Sequence, residues 1–179
     1  MARGTGTRSK ATLSRAELVA RARRLRLVLT DNDGVLTDAG VYYSERGEEL
    51  KRYSVRDGMG VERLRLAGIE TAIVTREAGG CVRGRAEKLN VRFYTGVKDK
   101  VAFLPTLLAD HGFEVDQLGF IGDDVNDLEL METVGRGGLT GTPSDAMPVV
   151  SRIALHRCSA AGGHGAFRDF ADWILELRS

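Results

Sequence analysis

The sequence offers few groups for covalent or thiolate cross-linking. Its two cysteines, Cys81 and Cys158, lie far apart and form no Cys-x-x-Cys pair. Neither a disulfide framework nor a sulfur-ligated metal is therefore expected, and a reduced, cytoplasmic protein is the simple reading. Long apolar runs are missing too. None approaches the roughly 18 residues of a membrane-spanning helix, and the start has no apolar core of a secretory signal. Proline is scarce at 3 residues against 22 glycines, which favours tight loops approaching a ligand over low-complexity linker. Surplus charge is small at +1 but unevenly placed. Residues 1–26 hold eight Lys/Arg and one Glu, so residues 27–179 carry −6. A globally basic nucleic-acid-binding domain is not expected, nor is a membrane partner.

What remains is one domain's worth of chain: 179 residues, 42% hydrophobic and 28% charged. Residues 1–12 are Arg/Lys/Gly/Ser/Thr-rich without apolar period and read as a flexible basic arm, leaving residues 13–179 as a single domain. Ser14-Arg15-Ala16-Glu17 has the form of a capping box and opens a helix through residue 24. Strands then alternate with helices. Strands are predicted at residues 27–29, 71–74, 92–94, 117–121 and 153–155, and helices at 61–66, 82–89, 98–111, 127–134 and 165–177. Residues 41–43 and 50–55 flank Glu45-Arg46-Gly47-Glu48 as a hairpin, with Tyr42, Tyr43 and Tyr53 as its packing residues. Trp173, Phe170, Ile174 and Leu177 share a helical stripe that reads as core. This alternation specifies an α/β fold, a Rossmann-like parallel sheet with helices on both faces and a hairpin inserted after the first strand. Such a sheet binds ligands beyond the carboxyl ends of its strands.

The polar residues fall at those ends. The first strand runs into Asp31-Asn32-Asp33-Gly34, the 71–74 strand stops at Thr75, and the 117–121 strand stops at Gly122-Asp123-Asp124, with Asn126-Asp127 just beyond. Lys100 lies near a helix start. Several carboxylates converging on one spot repel one another unless a cation sits among them. Oxygen-only donors select a hard ion, and Mg²⁺ is the natural candidate.

Asp31-Asn32-Asp33-Gly34-Val35-Leu36-Thr37-Asp38, Thr75, Lys100 and Gly122-Asp123-Asp124-Val125-Asn126-Asp127 resemble, in order, the four motifs of the haloacid dehalogenase superfamily of phosphohydrolases. Val55-Arg56-Asp57-Gly58-Met59-Gly60 and Gly162-Gly163-His164-Gly165-Ala166-Phe167-Arg168 further resemble signatures of one capless branch, the phosphatases of 3-deoxy-2-ulosonic acid phosphates. The resemblance implies a capless fold, a phosphoric monoester hydrolase and a place in sugar-acid and lipopolysaccharide biosynthesis. Asp31 is then the nucleophile forming an aspartyl-phosphate, and Asp33 the acid that protonates the leaving oxygen and later activates water. Asp31, the main-chain oxygen of Asp33, and Asp123 hold Mg²⁺, while Thr75, Lys100 and Asn126 reach the phosphoryl group. Asp124 and Asp127 support these groups from behind. Arg56, Asp57 and Arg168 fall in the branch signatures and are expected at the substrate, with residues 162–168 as a flexible flap. The branch also implies a homotetramer whose hairpins form a central barrel.

Two departures stand out. Asn32 occupies a usually apolar position between the two aspartates, where it needs a hydrogen-bond partner if it points inward. The second motif reads Thr75-Arg76-Glu77 rather than Thr-Gly-Arg. Glu77 followed by Lys88 is similar to relatives acting on nine-carbon acids, so a nine-carbon 9-phosphate is favoured over 3-deoxy-D-manno-octulosonate 8-phosphate. The alternatives are a non-catalytic or regulatory protein of the same fold, or a phosphatase for another small ester. A response-regulator receiver is excluded by motif order, and a dinucleotide-binding domain by the missing Gly-rich turn after the first strand. A phosphomutase needs a cap that the roughly 40 residues between Gly34 and Thr75 do not provide.

Overall fold

A computed structural model describes residues 13–179, so the basic arm expected over residues 1–12 lies outside the described residues. The chain begins with α1 (Arg15–Arg24), whose Ser14 and Glu17 form the reciprocal capping box. It continues through β1 (Leu27–Thr30), the hairpin strands β2 (Tyr42–Ser44) and β3 (Gly47–Leu50), α2 (Val55–Leu66) and β4 (Glu70–Val74). Next come α3 (Gly80–Leu89), β5 (Arg92–Tyr94), α4 (Lys100–His111) and β6 (Leu118–Ile121). The chain closes with α5 (Leu128–Gly135), β7 (Leu139–Thr142), α6 (Pro148–Ser151), β8 (His156–Arg157) and α7 (Ala166–Arg178).

Six strands form one parallel sheet in the order β5-β4-β1-β6-β7-β8, while among the described residues β2 and β3 pair only with each other. The period of two along the central strands divides their side chains between two cores. Val28 and Ile73 pack with α1, α2, α3 and α7 on one face. Leu27, Leu29, Ala72, Val74, Leu118 and Phe120 pack with α4 and α5 on the other. With β1 at the centre, the carboxyl ends of β4, β1 and β6 lie side by side. No helix among the described residues is long and apolar enough to cross a membrane.

Several boundaries differ from expectation. The second hairpin strand spans Gly47–Leu50 instead of residues 50–55, and α2 starts at Val55, six residues early. Ser54 caps α2 by accepting the Arg56 amide, and the low helix propensity of Gly58 and Gly60 had hidden this first part of the helix. Gly60 sits where α2 crosses α7, and a Cβ there would lie 3.0 Å from the Arg168 Cα, close enough that the helices would have to give by a few tenths of an ångström. Strand β7 was not predicted because Leu139-Thr140-Gly141-Thr142 resembles a loop. Its Gly141 lies under Phe170, whose ring a Cβ would meet at 2.5 Å. The last strand is short and starts at His156 rather than residue 153, after the α6 turn. Tyr42 and Tyr43 do not pack within the hairpin and stand 62% and 73% exposed. Trp173 is only partly buried and stacks on His156, whereas Phe170 and Ile174 are fully buried.

Candidate active site

The site is assembled from strand ends. β1 delivers Asp31 and Asp33, β4 delivers Thr75, and β6 delivers Gly122, Asp123 and the short 3-10 turn Val125–Asp127. Lys100 enters from the first residue of α4, which Asp99 caps by accepting the Ala102 amide. A pocket of about 190 Å³ lies over this rim, lined by Asp31, Asp33, Ala39, Thr75, Arg76, Glu77, Asp123, Asp124 and Asn126.

Asp31 is buried and fully engaged. Its Oδ1 accepts the Asn32 amide at 2.7 Å, and its Oδ2 accepts from Lys100 Nζ at 2.9 Å and Asn126 Nδ2 at 3.3 Å. The buried Lys100 also contacts Asp127 Oδ1 at 2.5 Å. Asp127 Oδ2 in turn accepts the amides of Asp123, at 2.9 Å, and Asp124, at 3.4 Å. Asp127 thereby holds Lys100 with one oxygen and the Asp123 loop with the other. Asp124 accepts the Val125 amide and caps the turn.

Oxygens of Asp31, Asp123 and Asp127 approach one another within 4.8 Å. Burial, then the neighbouring Asp127 charge, pushes the Asp31 carboxyl up to about 7 against the pull of Lys100. Burial and the Asp31 and Asp127 charges push Asp123 up to about 8. Burial opposes the Lys100 charge, but Asp31 and Asp127 outweigh it and hold this ammonium above its ordinary value. One lysine does not balance three converging carboxylates. Asp31, Asp123 and Asp127 bring only carboxylate oxygens to this cluster, the donor chemistry a hard divalent cation takes, and the donor set fits Mg²⁺. Gly34 keeps this space open. Its φ is +79°, and a Cβ there would fall 2.0 Å from Asp123 Oδ2.

Asp33 points toward the hairpin side, where Lys51 meets its Oδ1 at 2.8 Å. Lys51 was not singled out from sequence: Lys51 and Arg52 stand side by side, and nothing in the pattern says which turns inward. Its side chain is 2% exposed. Burial opposes its charge, but Asp33 and Glu48 outweigh it and raise it. Asn32 has the partners its burial demands, accepting from the Tyr53 hydroxyl at 3.1 Å and donating to Asp33 Oδ1 at 3.1 Å.

Of the expected substrate contacts, Glu77 and Asn126 line the pocket. Lys88 is exposed on the last turn of α3 and is not among the pocket residues. Arg56 and Arg168 come together in a separate cleft with His156, His164 and Trp173. Asp57 is buried and accepts the Arg168 amide at 3.1 Å, so it caps α7 rather than facing the pocket. Burial raises its carboxyl, moderated by the amides at the start of α7 and by Arg85. The segment expected to be a flap is wedged in place. The Gly163 amide donates to Val35 O at 2.9 Å, Arg52 holds Gly163 O at 2.9 Å, and a Cβ on Gly162 would lie 2.0 Å from Gly34 O.

Strand-end carboxylates, a hydroxyl and a buried lysine around an open pocket define a class of site suited to a phosphate ester with a divalent cation. Comparison with known proteins supplies the family. No family model matches. The 3-deoxy-D-manno-octulosonate 8-phosphate phosphatase of Yersinia pestis is 36% identical over 160 residues, 89% of this chain and 84% of that protein. The enzyme of the same name from Escherichia coli K12 is 35% identical over 161 residues, with the same coverage. Among solved structures, a Legionella pneumophila hydrolase of haloacid dehalogenase subfamily III A superposes with a TM-score of 0.85 at 36% identity, covering 91% of this chain and 88% of that one. The Moraxella catarrhalis octulosonate 8-phosphate phosphatase, solved with magnesium, phosphate and the octulosonate, gives 0.83 at 29%, covering 90% and 92%. The cobalt-bound Haemophilus influenzae enzyme gives 0.83 at 33%, covering 88% and 91%. The chain belongs to the 3-deoxy-D-manno-octulosonate 8-phosphate phosphatase family of the haloacid dehalogenase superfamily, and is a phosphoric monoester hydrolase.

Proposed function

We propose that residues 13–179 form one phosphatase domain that hydrolyses a 3-deoxy-2-ulosonic acid phosphate with Mg²⁺, through an aspartyl-phosphate on Asp31. The observation that carries this reading is the buried Asp31 carboxylate held against Lys100 at 2.9 Å, with Asp123 in the same cluster and Asp33 two residues on. Asp31, Asp123 and the main-chain oxygen of Asp33 would hold Mg²⁺. Bound there, the ion offsets the charge of the phosphate as a carboxylate approaches it. Thr75 and Asn126, on the pocket wall, orient phosphoryl oxygens. Lys100 fixes the attacking carboxylate and screens it from Asp127. Asp31 attacks phosphorus as the sugar oxygen leaves, and Asp33 gives that oxygen a proton. Asp33, now a carboxylate, takes a proton from water, whose oxygen attacks phosphorus and releases inorganic phosphate and free Asp31.

For the substrate we favour the eight-carbon 3-deoxy-D-manno-octulosonate 8-phosphate, reversing the order expected from Glu77 and Lys88. The curated relatives carry that acid in their names, and within one chain Lys88 stands away from the pocket. Glu77 on the pocket wall is the observation favouring the nine-carbon acid as second reading. Kinetics across both acids, simple sugar phosphates and p-nitrophenyl phosphate, with wild type and Glu77→Ala, tests both. A dominant kcat/KM for the eight-carbon ester supports the first reading. Preference for the nine-carbon ester, lost with Glu77→Ala, replaces it with the second.

We further infer a homotetramer built through the hairpin. Val41, Tyr42, Tyr43 and Leu50 are exposed on a two-stranded ribbon that pairs with no other strand among the described residues. An apolar, open-edged ribbon favours pairing with further copies. Cys81 and Cys158 are free thiols, which fits a reducing cytoplasm.

A further inference from the structure

Outside the strand-end site, a second cluster brings together three different kinds of donor. One ligand atom from each of His156, Cys158 and Asp169 lies within 4.8 Å of the other two. His156 and Cys158 come from β8 and its end, and Asp169 from the first turn of α7. Each is held by its neighbours. The His156 ring stacks on Trp173 with centroids 4.6 Å apart, and its Nε2 meets Asp169 Oδ1 at 2.8 Å. Asp169 Oδ2 accepts the Ser159 amide at 2.8 Å and the Ser159 hydroxyl at 2.6 Å, which fixes the carboxylate with Oδ1 toward the imidazole. Cys158 is buried, and its thiol donates to Ala166 O at 3.3 Å.

We propose that His156, Cys158 and Asp169 form a zinc site that ties β8 to α7, separate from the strand-end carboxylates. Sulfur, imidazole nitrogen and one carboxylate oxygen are the donors a borderline-soft ion takes, whereas the strand-end cluster offers oxygens alone. Three protein donors leave one tetrahedral position for water. With Zn–N and Zn–O bonds of about 2.0–2.1 Å, the two atoms stand about 3.4 Å apart, so the His156–Asp169 pair opens by roughly half an ångström to admit the ion. Both side chains line a cleft of about 370 Å³ and are 21% and 22% exposed, which gives a cation its way in. Burial, then the Asp169 charge, pushes the Cys158 thiol up to about 12. On binding, the cation takes the sulfur and the thiol proton leaves to solvent. The partners that orient such ligands are in place, Ser159 on the carboxylate and Trp173 on the imidazole. The three ligands bracket residues 159–165, whose Gly163 amide donates to Val35 O at 2.9 Å. The ion therefore fastens both ends of the loop that seats on the segment following Asp33.

The test titrates Co²⁺, a spectroscopic substitute for Zn²⁺, into the reduced full chain with Mg²⁺ in excess. A thiolate ligand gives Co²⁺ a near-ultraviolet charge-transfer band that all-oxygen donors cannot give. The expected result is a band that saturates at about one Co²⁺ per chain and is bleached by Zn²⁺. Cys158→Ser should abolish it, and His156→Gln and Asp169→Asn should each weaken Co²⁺ binding at least about tenfold. Cys81→Ser should leave it unchanged. Retained phosphatase activity in Cys158→Ser shows that this variant folds. If it does not fold, survival of the band in Cys81→Ser still assigns the sulfur, because the chain has only these two cysteines. Three results overturn the zinc site and leave an Asp–His ion pair beside a buried thiol. They are no band in the wild type, a band kept with Cys158→Ser or lost with Cys81→Ser, and a band that neither His156→Gln nor Asp169→Asn alters.

Discussion

Stripped of divalent cations, the protein should lose stability as the pH rises from 5 to 8, and Mg²⁺ should restore it. Asp31 rises from 3.8 in the unfolded chain to about 7 in the fold, and Asp123 from 3.8 to about 8. Below 3.8 both states are protonated and neither residue carries a penalty. Between 3.8 and the folded value the unfolded chain gives up a proton that the folded one keeps, so stability falls with pH and levels off above about 8. Each unit is worth 1.36 kcal/mol, so the two-unit span from pH 5 to 7 for Asp31 amounts to on the order of 3 kcal/mol. Asp123 titrates in the same cluster, and its penalty overlaps with that of Asp31. For a chain of this size the loss corresponds to a fall of roughly 6–12 °C in Tm. Circular-dichroism melts at pH 5, 6, 7 and 8, in EDTA and in Mg²⁺, read this directly. Mg²⁺ binds the ionised carboxylates, so its stabilisation should be larger at pH 8 than at pH 5. Asp123→Asn should flatten the EDTA profile and reduce the Mg²⁺ effect. A flat EDTA profile in the wild type, or an Mg²⁺ shift independent of pH, refutes the crowded-carboxylate account.

Gly162→Ala should lower stability by roughly 1–3 kcal/mol in thermal melts, because its Cβ would lie 2.0 Å from Gly34 O and push on the loop carrying Asp33. An unchanged Tm would show that the 162–163 loop is not seated there. Tyr43→Glu, at a 73% exposed hairpin position, should convert tetramers to smaller species in size-exclusion light scattering. A monomeric wild type with full activity would remove the tetramer proposal.

The sheet and most of the site were legible because strand-end polarity survives in one dimension. Thr30 runs into Asp31, Val74 into Thr75 and Ile121 into Gly122-Asp123, and each strand is a short apolar run before a polar stop. Strand β7 and the start of α2 were not legible because their glycines answer to tertiary contacts, Gly141 to Phe170 and Gly60 to α7. Local propensity carries no trace of either. Asp57 matched a family signature, but its position in the first turn of α2, facing the α7 amides, depends on a helix crossing. Lys51 was missed for a similar reason. A lysine in a hairpin arm is ordinarily solvated, and only the return of the chain over Asp33 buries this one.

The central claim is that Asp31 takes the phosphoryl group during turnover. Rapid acid quenching with Mg²⁺ and substrate, followed by mass spectrometry of the peptide containing Asp31, tests it directly. The account predicts a transient phosphoryl adduct on Asp31 in the wild type. It also predicts no adduct in Asp31→Asn, whose phosphate release falls by at least about a thousandfold while its fold is retained. Sustained phosphate release by Asp31→Asn, with no adduct on the wild-type peptide, would contradict it.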